Sequence, residues 1–390
     1  MDIRIPLSRP DISELERRAV DEVLRTPYLS MGPKTRAFEA AFRSWTGRRH
    51  ALAVSSGTAG LHLALRTLGI GPGDAVLTTP FSFVASTNVI LHAGAEPLFA
   101  DIEPTTLNLD PEAVEAYLSR EARRDGKTLV DPVTGARIRA LLTVDVFGHP
   151  VPAERWRDLA DRWGLWWISD SCEAVGSRVR VGDTWQAAGA LADIAVYAFY
   201  PNKQITTGEG GMVVTDREAW ARTLRALHNQ GRVRGGRWLL HDLLGYNYRM
   251  DELSAALGEA QMRRLDEMRT RRRQVFERYD RALQDIPGVQ RPTAAPWAEV
   301  HWFVYVIRVP ADLRDRIMET LARSGIETRP YFDPPIHLQP VHRERLARYA
   351  GRLPIAEQVS REVIALPFYN HLTADMQEEV VAALRKALDT

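Results

Sequence analysis

A single lysine, Lys203, stands in FYPNKQITTGEGG (199–211), between the strand-forming run DIAVYAFY and a glycine-rich turn that leads into GMVVTD. Strand formers on both sides make this a short ordered connection, so the amine is held at one place. Taken alone, a lysine there reads more simply as a surface residue of a hairpin-like loop. A second run, WWISDSCEAVG (166–176), drives an apolar strand into Asp170, with Glu173 and Gly176 close behind. In an open α/β sheet ligands bind beyond the carboxyl ends of the strands, where Asp170 falls, although Asp also serves as a helix cap or turn residue. A third, SSGTAGLH (55–62), follows a strand and opens a helix, with Gly57 and Thr58 at the turn. The free N–H groups of a helix start, approachable beside a glycine and helped by a hydroxyl, suit a phosphate. The same turn is also a common structural device. It lacks the Gly-Lys-Ser/Thr ending of a nucleotide P-loop, so a triphosphate is not indicated.

In chain order these residues give a phosphate-type turn at Gly57 and Thr58, an aromatic at Phe83, an acid at Asp170 and an amine at Lys203. Pyridoxal phosphate needs those four contacts: an amine for its aldehyde, an anion for its ring nitrogen, a cradle for its phosphate and a flat apolar neighbour for its ring. The set is far more specific than any member. Cys172 has no evident base beside it and reads as a small packing residue. His337 and His342, separated by Pro340 and with no acid-rich helix nearby, do not read as a metal pair.

The elements that must position these groups follow from patterning. Short apolar runs alternate with helical stretches, as in HALAVSS then TAGLHLALRTLG, DAVLTTP then VASTNVILHAG, and IRALLTVDVF then AERWRDLADRWG. That alternation predicts crossover units and a largely parallel sheet in an α/β fold. Near residue 250 the style changes, and MDELSAALGEAQMRRLDEMRTRRRQVFERYDRALQDI keeps helical periodicity for more than thirty residues and reads as one connecting helix. The arginines of RTRRR, flanked by Asp266, Glu267 and Glu277, read as a solvated face. Beyond it, HWFVYVIRV, ADLRDRIMETLARSG and IETRPYF predict strand, helix and strand of a smaller α+β unit. The change of style places the boundary between residues 250 and 290, drawn at 255: residues 1–255 form a large domain and 256–390 the connecting helix and small domain.

A chain of 390 residues is long enough for two domains. Its net charge of +1 provides no general field for nucleic acid or an anionic membrane. One cysteine excludes an intrachain disulfide. The N-terminus lacks a signal-peptide pattern and no segment has the apolar length of a membrane span, so the expectation is a cytoplasmic protein.

Through IPLSRPDI, LSMGPKTRAFEAAF, VSSGTAGLHLAL, TTPFSFVAST, DSCEAVGS, FYPNKQITTGEGG, GYNYRMDELSAALG and RPYFDPPIHLQP, the chain resembles the DegT/StrS family of nucleotide-sugar aminotransferases over nearly its whole length. The resemblance implies fold type I of the pyridoxal-phosphate enzymes, with a mainly parallel seven-stranded sheet, and a homodimer with composite active sites. It implies amino transfer to a keto group of a nucleotide-linked sugar, with L-glutamate as the donor. By motif, Lys203 would bond the cofactor aldehyde, Asp170 would meet the ring nitrogen, Gly57 and Thr58 would hold the phosphate, and Phe83 would stack on the ring. Glu173 stands where relatives often have Gln or His. Asn247 matches an asparagine that reaches the phosphate from the other subunit. Many relatives carry Ser five residues before the lysine, where this chain has Ala198.

A diphosphate-bearing substrate needs local cations in so balanced a protein, and Arg232, Arg234 and Arg237 of NQGRVRGGRW are candidates alongside a plain solvated loop. Arg329, Tyr331 and His337 are candidates for lining the pocket from the small domain. Three alternatives remain: a keto-cyclitol substrate, a sugar dehydratase, against which Lys203 argues because those relatives have histidine there, and a metabolite-sensing regulator, which would call for a DNA-binding module.

Overall fold

A computed structural model describes residues 3–126, 128–233 and 240–388. From edge to edge the main sheet runs His50–Val54, Gly211–Thr215, Ile194–Ala198, Trp166–Asp170, Arg137–Val144, Asp74–Thr78 and Glu96–Phe99. Gly211–Thr215 is antiparallel to both its neighbours, and every other pairing along this path is parallel. The expected mainly parallel seven-stranded sheet is therefore present. A hairpin, Arg123–Asp125 with Thr128–Val130, pairs at Arg137 and extends the sheet to nine strands.

The strands are short aliphatic runs with helices on both faces, so nearly every residue of Asp74–Thr78, Trp166–Asp170 and Ile194–Ala198 is buried. Side-by-side parallel pairing brings their carboxyl ends to one rim: Ile194 lies opposite Ile168, and Val196 opposite Asp170. The connection from Ala198 to Gly211 turns back above that rim and carries Lys203.

One helix is seated unusually close. Helix Gly57–Thr67 begins at Ser56, whose hydroxyl accepts the Ala59 N–H. A Cβ at Gly60 would meet Val196 at 2.7 Å and Val213 at 3.0 Å, and one at Gly57 would meet Ala198 at 2.7 Å. Two glycines three residues apart thus let one face of the helix rest on the sheet, which fixes where its first turn points.

The C-terminal part departs from the sequence reading in three places. The single connecting helix is two, Glu252–Arg263 and Leu265–Ala282, broken at Arg264. There the guanidinium turns inward to Asp11 at 2.9 Å and Glu16 at 2.8 Å, tertiary contacts that periodicity cannot register. RTRRR is not uniformly a solvated face, because Arg272 is buried and donates to the carbonyls of Trp302 at 2.6 Å and Phe303 at 2.7 Å and to Asn370 at 3.1 Å. Finally, IETRPYF forms only isolated bridges, Ile326 with Ile5 and Arg329 with Ala365. Pro330, without an N–H, interrupts the ladder. The small sheet is Tyr305–Arg308 against Val363–Leu366, antiparallel, with Ala311–Arg323 and Ala374–Leu388 packed together beside it. No described helix is long and apolar enough to cross a membrane.

Candidate active site

At the carboxyl rim lies a cavity of about 500 Å³ lined by Gly57, Thr58, Phe83, Asp170, Glu173 and Lys203 among others, with Phe303, Tyr331 and Phe332 closing it from the C-terminal half. Asp170 ends its strand and is 5 % exposed. Its two oxygens are already held: Oδ2 accepts the Ser86 hydroxyl at 2.7 Å and Oδ1 the Cys172 N–H at 3.2 Å. A carboxylate fixed by two donors has its direction set before any ligand arrives.

Lys203 extends from the connection above the rim. Its Nζ is 3.1 Å from Glu173 Oε1 and 3.9 Å from the centre of the Phe303 ring. Glu173 Oε2 accepts the Phe147 N–H at 2.8 Å. Both oxygens of Glu173 therefore face donors, and its charge is turned to the lysine. This mostly buried ammonium is matched by one anion and one aromatic face. Burial, with the Glu173 charge second, pushes the Tyr331 hydroxyl up from its ordinary range. Burial also raises the Cys172 thiol well above its ordinary value, reinforced by Asp170, so it stays protonated in its packing role.

Of the residues singled out from sequence, Lys203, Asp170, Gly57, Thr58, Phe83, Glu173 and Tyr331 meet at this cavity. His337 does not line it: its side chain is fully buried against Phe99 and pairs with Glu357 at 3.1 Å, a clamp between packed segments. Arg329 lies outside the lining and pairs with Glu327 at 2.8 Å. Asn247 is exposed, bridges to Asn229 and also lies outside the lining. Arg232 is half-buried, with its Nε lacking a hydrogen-bond partner among the described residues. Arg234 and Arg237 fall outside the described residues.

Sequence reasoning overlooked Ser82, Ser86, Gly60 and Phe303. The i, i+4 spacing of the serines at the start of a helix was a usable signal. Phe303 gave none, because only the tertiary fold carries it to Lys203.

The cavity fits pyridoxal phosphate on its own geometry. It holds an amine and a fixed carboxylate, and its wall includes the first residues of a helix, Gly57 and Thr58, whose amides have no intrahelical acceptor. A Cβ at Gly57 would lie 2.8 Å from Cys172 Sγ, so only glycine keeps that wall in place.

This layout belongs to the fold type I pyridoxal-phosphate enzymes, and comparison with known proteins agrees. Residues 10–385 match the DegT/DnrJ/EryC1/StrS aminotransferase family. Spore coat polysaccharide biosynthesis protein SpsC of Bacillus subtilis is 33 % identical, with 98 % of this chain and 96 % of SpsC covered. Among solved structures, S. venezuelae DesV is 34 % identical with a TM-score of 0.85, covering 95 % of this chain and 93 % of that one. NtdA of Bacillus subtilis, solved with bound cofactor PMP, is 27 % identical with a TM-score of 0.84, covering 97 % and 83 %. The chain belongs to the DegT/DnrJ/EryC1/StrS aminotransferase family, and it is a pyridoxal-phosphate-dependent aminotransferase.

Proposed function

We propose that this sugar aminotransferase moves an amino group from an amino acid, L-glutamate by family resemblance, to the keto carbon of a nucleotide-linked sugar. The observation that carries the reading is the convergence of the Lys203 amine and the Asp170 carboxylate on one cavity beside the helix start at Gly57 and Thr58. When bound, the cofactor supplies a carbonyl for amines and an electron sink for the carbanion left when a substrate C–H proton departs.

The protein's own groups do the rest. Lys203 provides the amine that anchors the cofactor and, once freed, takes a proton from one carbon and returns it to another. Glu173, fixed by the Phe147 N–H, holds the ammonium while the proton rests there. Asp170 would meet the ring nitrogen through the oxygen positions left open by Ser86 and Cys172. The amides of Gly57 and Thr58 would take the phosphate, and Phe83 would cover the ring. Phe303, Tyr331 and Phe332 limit water around Lys203.

Arg232, with Arg234 and Arg237 beside it in sequence, would meet the diphosphate. Asn247 and Phe83 are exposed at one chain's surface, as are the apolar Leu240, Leu243 and Leu244. That exposure supports a homodimer in which Asn247 reaches the partner's phosphate site. A cytoplasmic setting accords with the single cysteine and balanced charge. The test is incubation of the holoenzyme with glutamate and a panel of keto nucleotide sugars, read by mass. Turnover of at least one sugar supports the reading; failure on all of them, with turnover of a keto-cyclitol, replaces the substrate class.

A further inference from the structure

We infer that Ser82 and Ser86 form a directed hydroxyl relay that sets the orientation of Asp170, making Ser86 a positioning residue for the ring-nitrogen contact. The inference rests on the role proposed above for Asp170. Three side chains carry it, all nearly excluded from solvent: Ser86 is 1 % exposed, Asp170 5 % and Ser82 6 %.

The direction of the relay follows from counting hydrogens. An ionised carboxylate only accepts, so the single hydroxyl hydrogen of Ser86 is committed to Asp170 Oδ2 at 2.7 Å. Ser86 Oγ then has only lone pairs to offer to Ser82 Oγ, 3.2 Å away. Ser82 must be the donor in that pair, and the hydrogens all point towards Asp170.

Local structure explains why the groups meet. Ser86 is the second residue of helix Ala85–His92, and Ser82 precedes it by four residues in the turn leading into that helix. The Ser86 N–H bonds the Phe83 carbonyl at 3.3 Å, which ties the relay to the residue proposed to cover the ring. A chain of donors polarises each member, so the Ser86 hydroxyl holds Asp170 Oδ2 more firmly than a lone hydroxyl would. The relay therefore fixes the direction in which Asp170 offers its remaining lone pairs to the N–H of the ring nitrogen. The Cys172 N–H on Oδ1 prevents the carboxylate from turning to compensate.

The test compares Ser86→Ala, Ser86→Thr and Ser82→Ala with the unaltered enzyme, using pyridoxal phosphate labelled with ¹⁵N in its ring. Two readouts apart from activity are the dissociation constant of the cofactor from the apoenzyme and the ¹⁵N shift of the bound ring. Ser86→Ala is expected to weaken cofactor binding about tenfold or more, given the strength of a hydrogen bond to a charged group. It should also move the nitrogen signal towards that of an unprotonated pyridine. Ser86→Thr, which keeps the hydroxyl, should retain the protonated signal, and Ser82→Ala should shift it in the same direction as Ser86→Ala but less.

Unchanged binding and shift in Ser86→Ala overturn the relay. So does an equal loss in Ser86→Ala and Ser86→Thr, which would mark a packing role. Should apoenzyme melting show that Ser86→Ala does not fold, Ser82→Ala decides: an unshifted signal overturns the relay. An unprotonated ring in the unaltered enzyme would instead overturn the role of Asp170 itself.

Discussion

Gly57→Ala adds one methyl group where the structure leaves no room for it. The new Cβ would lie 2.7 Å from the Ala198 Cβ and 2.8 Å from Cys172 Sγ. Carbon atoms rest at about 3.5–4.0 Å, so the first turn of helix Gly57–Thr67 has to move outward by roughly 1 Å. Such overpacking costs about 1–3 kcal/mol of stability. The same displacement would lengthen the amide–phosphate hydrogen bonds proposed for this turn beyond their useful range, and losing one charge-assisted bond is worth about 1.5–3 kcal/mol, or roughly ten- to hundredfold in cofactor affinity. The assay is titration of apoenzyme with pyridoxal phosphate, together with melting of the apoenzyme. Because half of the crowding comes from Ala198, the double variant Gly57→Ala/Ala198→Gly should recover part of both losses. Wild-type affinity and melting temperature in Gly57→Ala would refute the argument that helix seating positions the phosphate cradle.

Further predictions concern the frame around the site. Arg272→Ala strips a buried donor from the Trp302 and Phe303 carbonyls and from Asn370; it should lower stability by about 3–5 kcal/mol in urea unfolding, and a loss under 1 kcal/mol would show those carbonyls satisfied otherwise. His149 is buried as a neutral ring, with Nε2 accepting the Ala295 N–H at 3.0 Å and Nδ1 therefore donating to the Pro150 carbonyl at 3.0 Å. Burial lowers it to about 4 and lowers His301 to about 3. Unfolded, both rings protonate near pH 6.5, so below that pH the unfolded chain binds more protons; stability is full above 6.5 and falls towards pH 4 by up to about 1.4 kcal/mol per pH unit per ring. Melting temperature across pH 7 to 5 should show the fall, and His149→Gln should lessen its slope; a flat profile would contradict the neutral assignments. Glu173→Ala leaves Lys203 facing only the Phe303 ring. It should cut kcat by about ten- to a thousandfold with little change in donor KM, and an unchanged kcat would remove Glu173 from proton handling.

The sequence displayed the chemistry well because its chemistry lies where secondary structure ends. Asp170 terminates an apolar run and so falls at the carboxyl ends of the strands, Lys203 reads as part of a short connection between two strands, and Gly57 reads as the turn that opens a helix. The meeting of residues 170 and 203 was legible from the four contacts that one cofactor needs, with family resemblance beside it, whereas the order of the strands left no trace in local pattern. Groups that act through tertiary contact left weaker traces or none. Arg264 lies in a run that reads as one continuous helix and Arg272 in a stretch that reads as its solvated face, yet acids and carbonyls remote in sequence break the helix at one and bury the other. His337 reads as a pocket residue because it shares the run TRPYFDPPIHLQPVH with Tyr331; a turn and Glu357 direct it into the core instead.

The most direct test of the account is the identity of the residue that bonds the cofactor. The chain has four lysines, Lys34, Lys127, Lys203 and Lys386. Borohydride reduction of the cofactor-loaded enzyme, followed by peptide mass mapping, should place the added pyridoxyl group on Lys203, with no label in Lys203→Ala. Labelling at another lysine, or none, would contradict the placement of amine and carboxylate on one ring.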